Sequence, residues 1–223
     1  MTFKLYGTLF SQPARAVYWM LKVKGIDIEI VHMERGNPEY QSEEFLALNP
    51  NGLIPVLEDD DFSLYESNAI LTYLAEKFGW DELYPKDLKI RAKVNQYLHW
   101  HHTGARKFTT EVVVPVFFKT VGQVTPEQLV AVDKAPEVMD KYTAIVEKTL
   151  VGDYIAGTAQ PTVADYALYC EYDQIEAIGL LNLDKFPKTA VWIERMKKIP
   201  FHDEVRVEMN TNFAAVGLTN QSP

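Results

Sequence analysis

The first stretch able to do chemistry is Ser11-Gln12-Pro13, where a hydroxyl comes just before a predicted helix. An apolar run over residues 3–9 is typical of a strand, and apolar residues recur at helical spacing from position 16. Pro13 suits the first turn of the helix, because its missing N–H would have no partner there. The free amides and the positive end of such a helix favour an anion beside Ser11. From this stretch alone we favour a simpler role, in which Ser11 only caps the helix.

Two further motifs suggest a site for the ends of a small peptide. Ile54-Pro55 opens a predicted strand, and a cis bond there would leave the Ile54 backbone free to pair with an extended peptide. Glu66-Ser67 directly precedes a predicted helix, where Ser67 would hold a carboxylate and Glu66 an ammonium group. Taken singly, each motif is better explained by structure alone. The alternatives are a trans proline on an edge strand, and a helix cap with an acid that the dipole favours.

The elements that position these motifs lie in residues 1–79. Strand and helix signals alternate there, which favours an α/β fold. The predicted strands cover residues 3–9, 28–31, 54–57 and 62–65, the predicted helices begin at Pro13 and Ser67, and residues 34–47 hold at most a short helix. Residues 80–87 form a predicted linker, because Gly79 ends a helix and Pro85 breaks the chain.

The remainder, residues 88–223, is predicted to be all-helical. Helices are expected over residues 88–121 with a kink at Pro115, 126–150 with a kink or a break at Pro136, 162–178, 187–199 and 201–209. Thr162-Val163-Ala164-Asp165 has the pattern of a capping box and is expected to start a buried helix. The polar tail from Thr211 is expected to be loose.

Composition and charge limit the kinds of partner. The chain has 223 residues and a net charge of −9, which argues against binding the phosphate backbone of a nucleic acid. Cys170 is the only cysteine, so an internal disulfide and a multi-cysteine metal site are excluded. No apolar segment is long enough to span a bilayer, and no signal peptide is recognisable. We therefore expect a cytoplasmic protein without a nucleic-acid or membrane partner.

The motifs are weak singly and specific in combination. They are Ser11 before a helix, Asn49-Pro50 to Ile54-Pro55, Glu66-Ser67-Asn68-Ala69-Ile70 and Thr162-Val163-Ala164-Asp165. Together they resemble the cytosolic glutathione transferase family over nearly the whole chain. Within that family, the most similar class is theta, on the basis of Tyr6, Ser11-Gln12-Pro13, the run from Arg15 to Tyr18 and residues 97–106. This combination reverses the preference for Ser11 as a mere cap.

The resemblance implies a fold and a set of partners. A thioredoxin-like, glutathione-binding domain would cover residues 1–79, with a linker over 80–87. An all-helical domain would cover residues 88–223, with the acceptor-substrate pocket at its interface with the first domain. The family further implies a homodimer that uses glutathione as a co-substrate, without another cofactor and without a metal.

The resemblance also assigns roles to individual residues. Ser11 would donate its hydroxyl to the glutathione sulfur. Pro55 would be cis, so that the Ile54 backbone pairs with the cysteinyl part of glutathione, and Glu66 and Ser67 would hold the γ-glutamyl end. A hydroxyl donor and a helix N-terminus both stabilise a thiolate over a thiol. The thiolate would then attack a hydrophobic electrophile.

Three further positions bear on these implied roles: two depart from the theta pattern and one matches it. Tyr40 and Leu53 stand where theta relatives place a histidine and a lysine at the glycyl end of glutathione, so we expect modest affinity. Arg106 matches a basic position of the theta pattern and would add positive charge near the sulfur. An alternative of equal weight for Arg106 is a solvated or interdomain ion pair.

Two clusters invite a functional interpretation that the spacing does not support. His99, His101 and His102 share one helix without the i, i+4 pairing of a metal site, so we interpret them as surface or interface residues. The aromatic residues Phe108, Phe117 and Phe118 are typical of a core, although one or two are expected to edge the acceptor site.

We predict a glutathione S-transferase that conjugates glutathione to hydrophobic electrophiles, with reduction of organic hydroperoxides as a further activity. The alternative is a non-catalytic assembly module with the same fold, of the kind found in the gamma subunit of the eukaryotic elongation factor complex. A dehalogenase or isomerase on the same scaffold is a third hypothesis, because acceptor specificity depends on pocket shape.

Overall fold

The sheet of the N-terminal half has four strands and mixes parallel with antiparallel pairing. The computed structural model describes residues 3–34 and 37–219. Residues 1–2, 35–36 and 220–223, which the predicted domains include, lie outside the described residues. The strands are β1 (Phe3–Gly7), β2 (Glu29–His32), β3 (Val56–Asp59) and β4 (Phe62–Tyr65), in the spatial order β2-β1-β3-β4. β1 runs parallel to β2, and β3 pairs antiparallel with both β1 and β4.

Helices cover this sheet and confirm the predicted α/β organisation. α1 (Gln12–Val23) is the crossover that the parallel pair β1 and β2 requires. A 3₁₀ turn (Pro38–Gln41) and α2 (Glu43–Leu48) follow β2, and α3 (Ser67–Lys77) follows β4. The apolar face of α1 is buried as its spacing predicts, with Val17, Met20 and Leu21 fully inside.

The described part of the second half is built from helices. They are α4 (Leu88–His101), a π-helical turn (Phe108–Val113), α5 (Val114–Thr120), α6 (Pro126–Thr149), α7 (Val163–Ala177), α8 (Pro187–Met196), α9 (His202–Val205) and α10 (Val207–Ala215). α6 continues through Pro136 as one helix, so the chain does not break there. Every residue of α7 except Glu176 is buried, which makes α7 the centre of this half.

The single helix predicted over residues 88–121 is wrong. The chain leaves the helix after His101 and turns over residues 102–105 before it becomes helical again. At this turn Gly104 lies so close to the Trp100 ring that a larger residue would not fit. A π-helical turn lies just before Pro115, which has no N–H for the carbonyl four residues earlier, and the kink expected at Pro115 stays a prediction.

The tail predicted to be loose from Thr211 is also corrected. α10 continues past that residue to Ala215. Met209 and Phe213, four residues apart on one face of α10, are both buried. Two apolar side chains among polar neighbours are a weak sequence signal for a helix. The partner that stabilises α10 is Phe10, whose ring centroid lies 5.1 Å from that of Phe213.

One continuous hydrophobic core joins the two halves along α1 and α7. The Trp19 ring on α1 lies 5.0 Å from Tyr166 and 5.4 Å from Tyr169 on α7, measured between ring centroids. The predicted capping box is confirmed, since the Asp165 carboxylate accepts from the backbone N–H and the hydroxyl of Thr162, each at 2.8 Å. Within residues 3–34 and 37–219, no helix has the length and apolar character needed to cross a membrane.

Candidate active site

The register of the sheet brings separate sequence motifs to one edge. Tyr6, Val56 and Tyr65 lie side by side across β1, β3 and β4. Pro55 and Glu66 continue this row just beyond the strands. The loop that leads from β1 to α1 starts at the same edge, because β1 ends one residue after Tyr6. The sheet therefore gathers the start of α1, the Ile54-Pro55 turn and the start of α3 in one place.

Ser11 is the N-cap residue of α1, with φ −73° and ψ 116°. Its hydroxyl makes no cap hydrogen bond, so the simple capping role favoured from the local sequence is wrong. Ser11 is partly exposed, and its backbone N–H donates to the Thr8 carbonyl at 3.0 Å. The hydroxyl thus stands without a capping partner at the positive end of α1, where an anion is stabilised.

The start of α3 also differs from a plain helix cap. The N-cap residue is Glu66, which makes no side-chain cap bond, and Ser67 is the first residue of the helix. Glu66 has φ 70° and ψ 105°, a backbone conformation that residues other than glycine rarely adopt. Its Oε2 lies 3.6 Å from His102 Nε2, and both side chains are more than half exposed. Strained residues of this kind cluster at ligand sites.

The Ile54–Pro55 peptide bond is cis, as the family resemblance implies. Ile54 lies outside β3, and its backbone forms no hydrogen bond with another residue in the described ranges. The neighbouring Leu53 carbonyl accepts from Asn49 Nδ2 at 2.7 Å, which holds the turn ahead of Ile54. The Ile54 amide and carbonyl are therefore available to an added extended chain.

Tyr40 and Leu53 lie near each other at the far side of this turn. Gly52, with φ 59°, connects them: a side chain there would meet the Tyr40 carbonyl oxygen at 3.0 Å. The Tyr40 hydroxyl donates to the Met33 carbonyl at 3.1 Å, and the Leu53 side chain is 62% exposed. Neither side chain carries a charge, so a ligand carboxylate at this end would find no cation from these two residues.

A buried carboxylate on α7, Glu171, connects the elements that carry Ser11 and Ser67. Its donors are Gln12 Nε2 (3.0 Å), His101 Nε2 (3.0 Å), Arg106 Nη1 (3.5 Å), Thr109 Oγ1 (2.5 Å) and Gln174 Nε2 (2.9 Å). The other ring nitrogen of His101, Nδ1, lies 3.2 Å from Asn68 Nδ2, which also donates to the Leu98 carbonyl at 3.0 Å. Gln12 follows Ser11 and Asn68 follows Ser67, so one network joins both motifs.

The Glu171 network also contains the ion-pair partner of Arg106. Burial alone would raise the pKa of Glu171, but the hydrogen bond from His101 and the positive charge of Arg106 hold that pKa below its usual value. Arg106 forms its ion pair inside the helical half and not with the first domain. It shares the Oε1 atom with Gln12, so its charge lies close to the start of α1. A role for Arg106 in catalysis stays a prediction.

Glu171 and Arg15 are fully buried charged residues to which no sequence motif gives a role. Arg15 Nη1 donates to the carbonyls of Leu9 at 2.7 Å and Phe10 at 3.2 Å, and its Nε lies 3.3 Å from an Asp173 carboxylate oxygen. The only available signal was a charged residue at an apolar position of a helix. Such a residue is buried only when it is paired, which suggests an interface.

The aromatic residues divide between the core and the site. Phe108 is fully buried against Tyr172, with ring centroids 4.8 Å apart, and belongs to the core. Phe117 and Phe10 are partly exposed, with ring centroids 6.2 Å apart, and Phe117 also contacts Phe118. Phe10 directly precedes Ser11 in the chain, so one ring of this partly exposed pair belongs to the loop that carries Ser11.

The three histidines at positions 99, 101 and 102 differ in burial, and the cysteine is buried. His99 and His102 are exposed, whereas His101 is buried in the Glu171 network, which corrects the interpretation of the three as alike. In the described ranges, no group of three or more histidine, cysteine, aspartate or glutamate side chains could hold a metal ion. Cys170 is buried as predicted, and that burial raises the pKa of its thiol to about 12.

A four-stranded mixed sheet followed by an all-helical half, with a hydroxyl at the start of the first helix, defines the glutathione S-transferase fold. Comparison with known proteins agrees with that class. Residues 1–76 match the model of the glutathione S-transferase N-terminal domain, and residues 108–200 match that of the C-terminal domain.

Individual relatives narrow the class. Glutathione S-transferase T1 of Arabidopsis thaliana is 35% identical over 216 residues, covering 92% of this chain and 87% of that protein. Human glutathione S-transferase theta-2B is 36% identical over 201 residues, covering 88% and 81%. The solved structure of human glutathione transferase theta-2 with glutathione superposes with a TM-score of 0.83 at 31% identity, covering 99% of this chain and 94% of that one. The chain belongs to the glutathione S-transferase family and is similar to members of its theta class, which disfavours the assembly-module alternative.

Proposed function

We propose that this protein is a theta-like glutathione S-transferase of the serine type. It binds glutathione at the sheet edge described above, ionises the thiol beside Ser11 and transfers the sulfur to a hydrophobic electrophile. The observation that carries this proposal is the Ser11 hydroxyl, which has no capping partner at the positive end of α1. A helix N-terminus with a free hydroxyl donor stabilises a thiolate by charge and by hydrogen bonding.

The required stabilisation is within reach of these groups. A free thiol has a pKa of about 8.5 and is mostly protonated at neutral pH. Lowering it by about two units requires roughly 2.7 kcal/mol of preferential thiolate stabilisation. One charge-assisted hydrogen bond from Ser11 and the dipole of α1 together supply that amount. Arg106, paired with Glu171 near the start of α1, offsets the negative charge of that carboxylate in the same region.

The remaining glutathione contacts follow from the same edge. The free backbone of Ile54, beside the cis Pro55, pairs with the cysteinyl part of glutathione. Glu66 accepts from the γ-glutamyl ammonium, and the amide and hydroxyl of Ser67 hold its carboxylate. Tyr40 and Leu53 border the glycyl end without a cation, so the glycyl carboxylate contributes little to affinity.

The acceptor pocket lies between the first domain, residues 1–79, and the helical domain, residues 88–223. Phe10 and Phe117 line it from opposite sides of the interface, and their partial exposure leaves apolar surface for a hydrophobic electrophile. An organic hydroperoxide is a second substrate class for the same thiolate. The enzyme acts as a cytoplasmic homodimer, with glutathione as its co-substrate and with no other cofactor.

We expect glutathione to bind the purified protein and to lose its thiol proton there at neutral pH. Binding releases heat in calorimetry, and the thiolate absorbs in the ultraviolet where the thiol does not. Turnover of a nitro-substituted aryl halide should rise with pH until the bound thiol is ionised. Binding of glutathione without ionisation or turnover would instead favour a non-catalytic module.

Replacing Glu66 with glutamine should raise the KM for glutathione about tenfold and leave kcat within about twofold. The change removes a charged acceptor for the ammonium group, and such hydrogen bonds contribute roughly 1.5–3 kcal/mol. Because this end of glutathione does not react, its binding is the same in the ground and transition states. Steady-state kinetics at varied glutathione would measure both constants. Glu44→Gln, an exposed change on α2, is the control, and equal constants for the two variants would remove Glu66 from the site.

A further inference from the structure

Glu208, on the C-terminal helix α10, binds the loop that leads to Ser11. Its carboxylate accepts from the Thr8 hydroxyl, from the Leu9 backbone N–H at 3.0 Å and from the Phe10 backbone N–H at 3.3 Å. These donors lie 198 to 200 positions away along the chain. An ionised carboxylate is an acceptor only, so it suits a place where every neighbour donates.

The opposite side of the same loop is bound by Arg15. The Leu9 and Phe10 carbonyls accept from its guanidinium, while their N–H groups donate to Glu208. Charged side chains therefore bind the backbone N–H and the carbonyl of both residues that precede Ser11. One of these charges comes from α1, and the other comes from the end of the chain.

α10 is itself anchored to the rest of the fold near both of its ends. Arg206, two residues earlier, lies 2.5 Å from the Asp173 carboxylate through its Nε, and Asp173 also faces Arg15. Phe213 is buried on the other end of α10 and contacts the Phe10 ring. The loop, α1, α7 and α10 thus form one unit around Ser11.

We propose that Glu208 is a positioning residue for the thiol-activating step, because it holds the Thr8–Phe10 loop in the conformation that presents the Ser11 hydroxyl to the glutathione sulfur. This inference rests on the proposed function of Ser11. Glu208 does not touch the sulfur in this scheme; it acts through the three donors of the loop.

A positioning role and a purely electrostatic role of Glu208 predict opposite shifts in the pKa of the bound thiol when Glu208 is replaced. The negative charge of Glu208 near the start of α1 opposes a thiolate, so losing the charge alone would lower the pKa of the bound thiol. Losing the loop contacts would move the Ser11 hydroxyl away from the sulfur and raise that pKa. The direction of the shift therefore distinguishes the two effects, and a change that only destabilises the fold would produce no shift.

The experiment compares Glu208→Ala, Glu208→Gln and Ser11→Ala in the full chain. The pKa of bound glutathione is read from thiolate absorbance across pH, and kcat and KM are measured in parallel. We expect Glu208→Ala to raise the thiol pKa by about one unit and to lower kcat about tenfold below that pKa. Glu208→Gln keeps one acceptor oxygen but turns a donor toward the loop amides. We therefore expect its thiol pKa to lie between those of wild type and Glu208→Ala.

A second measurement does not depend on glutathione. Hydrogen exchange of the Leu9 and Phe10 amides should accelerate in Glu208→Gln, which is the milder change if Glu208→Ala folds poorly. The matched control is Glu204→Gln on α9, whose side chain is 58% exposed and pairs with Lys22 at 2.6 Å. It should leave both the thiol pKa and the exchange unchanged.

The outcomes separate this inference from the proposed function. If Ser11→Ala raises the thiol pKa but the Glu208 variants leave it unchanged or lower it, Glu208 has no positioning role and the function of Ser11 stands. Unchanged exchange at Leu9 and Phe10 in a folded Glu208→Gln would also overturn the inference. If wild-type protein fails to ionise bound glutathione, the function of Ser11 fails and the inference fails with it.

Discussion

Replacing Ser11 with alanine is expected to lower turnover about 100-fold at a pH near 6.5, because the pKa of the bound thiol rises by about two units. The defect should shrink as the pH increases, since the thiol then ionises without help. Folding stability should stay unchanged, because the hydroxyl makes no cap bond whose loss would weaken α1. Conjugation kinetics across pH and thermal unfolding would measure the two effects.

Ser42→Ala is a reciprocal control for this variant. The Ser42 hydroxyl caps α2 by accepting from the Phe45 N–H at 3.1 Å, so its loss should cost about 1 kcal/mol of stability and leave turnover intact. Ser11→Ala would therefore lose activity but keep its stability, whereas Ser42→Ala would lose stability but keep its activity. Unchanged turnover of Ser11→Ala at saturating glutathione, at every pH, would rule out the role given to Ser11.

Replacing Glu171 with alanine should reduce the free energy of unfolding by about 3–5 kcal/mol. The change removes a fully buried carboxylate and leaves its donors, Arg106 and His101 among them, without their acceptor. It also releases Gln12 and Asn68 from one network, so the KM for glutathione should rise. Urea-induced unfolding and steady-state kinetics would measure both. Glu194→Ala, at a side chain that is 64% exposed, should stay within about 0.5 kcal/mol of wild type.

The pH dependence of stability gives an independent check on Glu171. Its pKa in the folded protein lies below the ordinary value of 4.5, although burial acts in the opposite direction. A carboxyl group of this kind stabilises the fold above its unfolded pKa, and the contribution disappears as the pH falls through the folded pKa. Glu171→Gln lacks this titration, so its stability deficit against wild type should narrow below a pH of about 4.5. A deficit that stayed constant in acid would show that Glu171 is not ionised in the folded protein.

Local patterns in the sequence determined the element types and the family. Strand and helix periodicities depend on residues only a few positions apart, and so does the capping box of Thr162 and Asp165. Ser11 lies at the start of α1 because Pro13 and the apolar spacing after it define where that helix begins. In the helical half, the correction in α10 depends on a distant side chain, Phe10, whereas the turn at residues 102–105 has Gly104 packed against the nearby Trp100 ring.

Only the tertiary structure decided which polar groups are free and which are paired. Each local stretch taken alone favoured a cap, at Ser11 and at Ser67. The fold leaves the Ser11 hydroxyl uncapped and makes Glu66 the strained N-cap of α3. The Gln12–Glu171 hydrogen bond joins residues 159 positions apart, and Glu208 reaches 200 positions back to Thr8. A buried donor or acceptor must find a partner among the elements packed against it, and no periodicity along the chain specifies which elements those are.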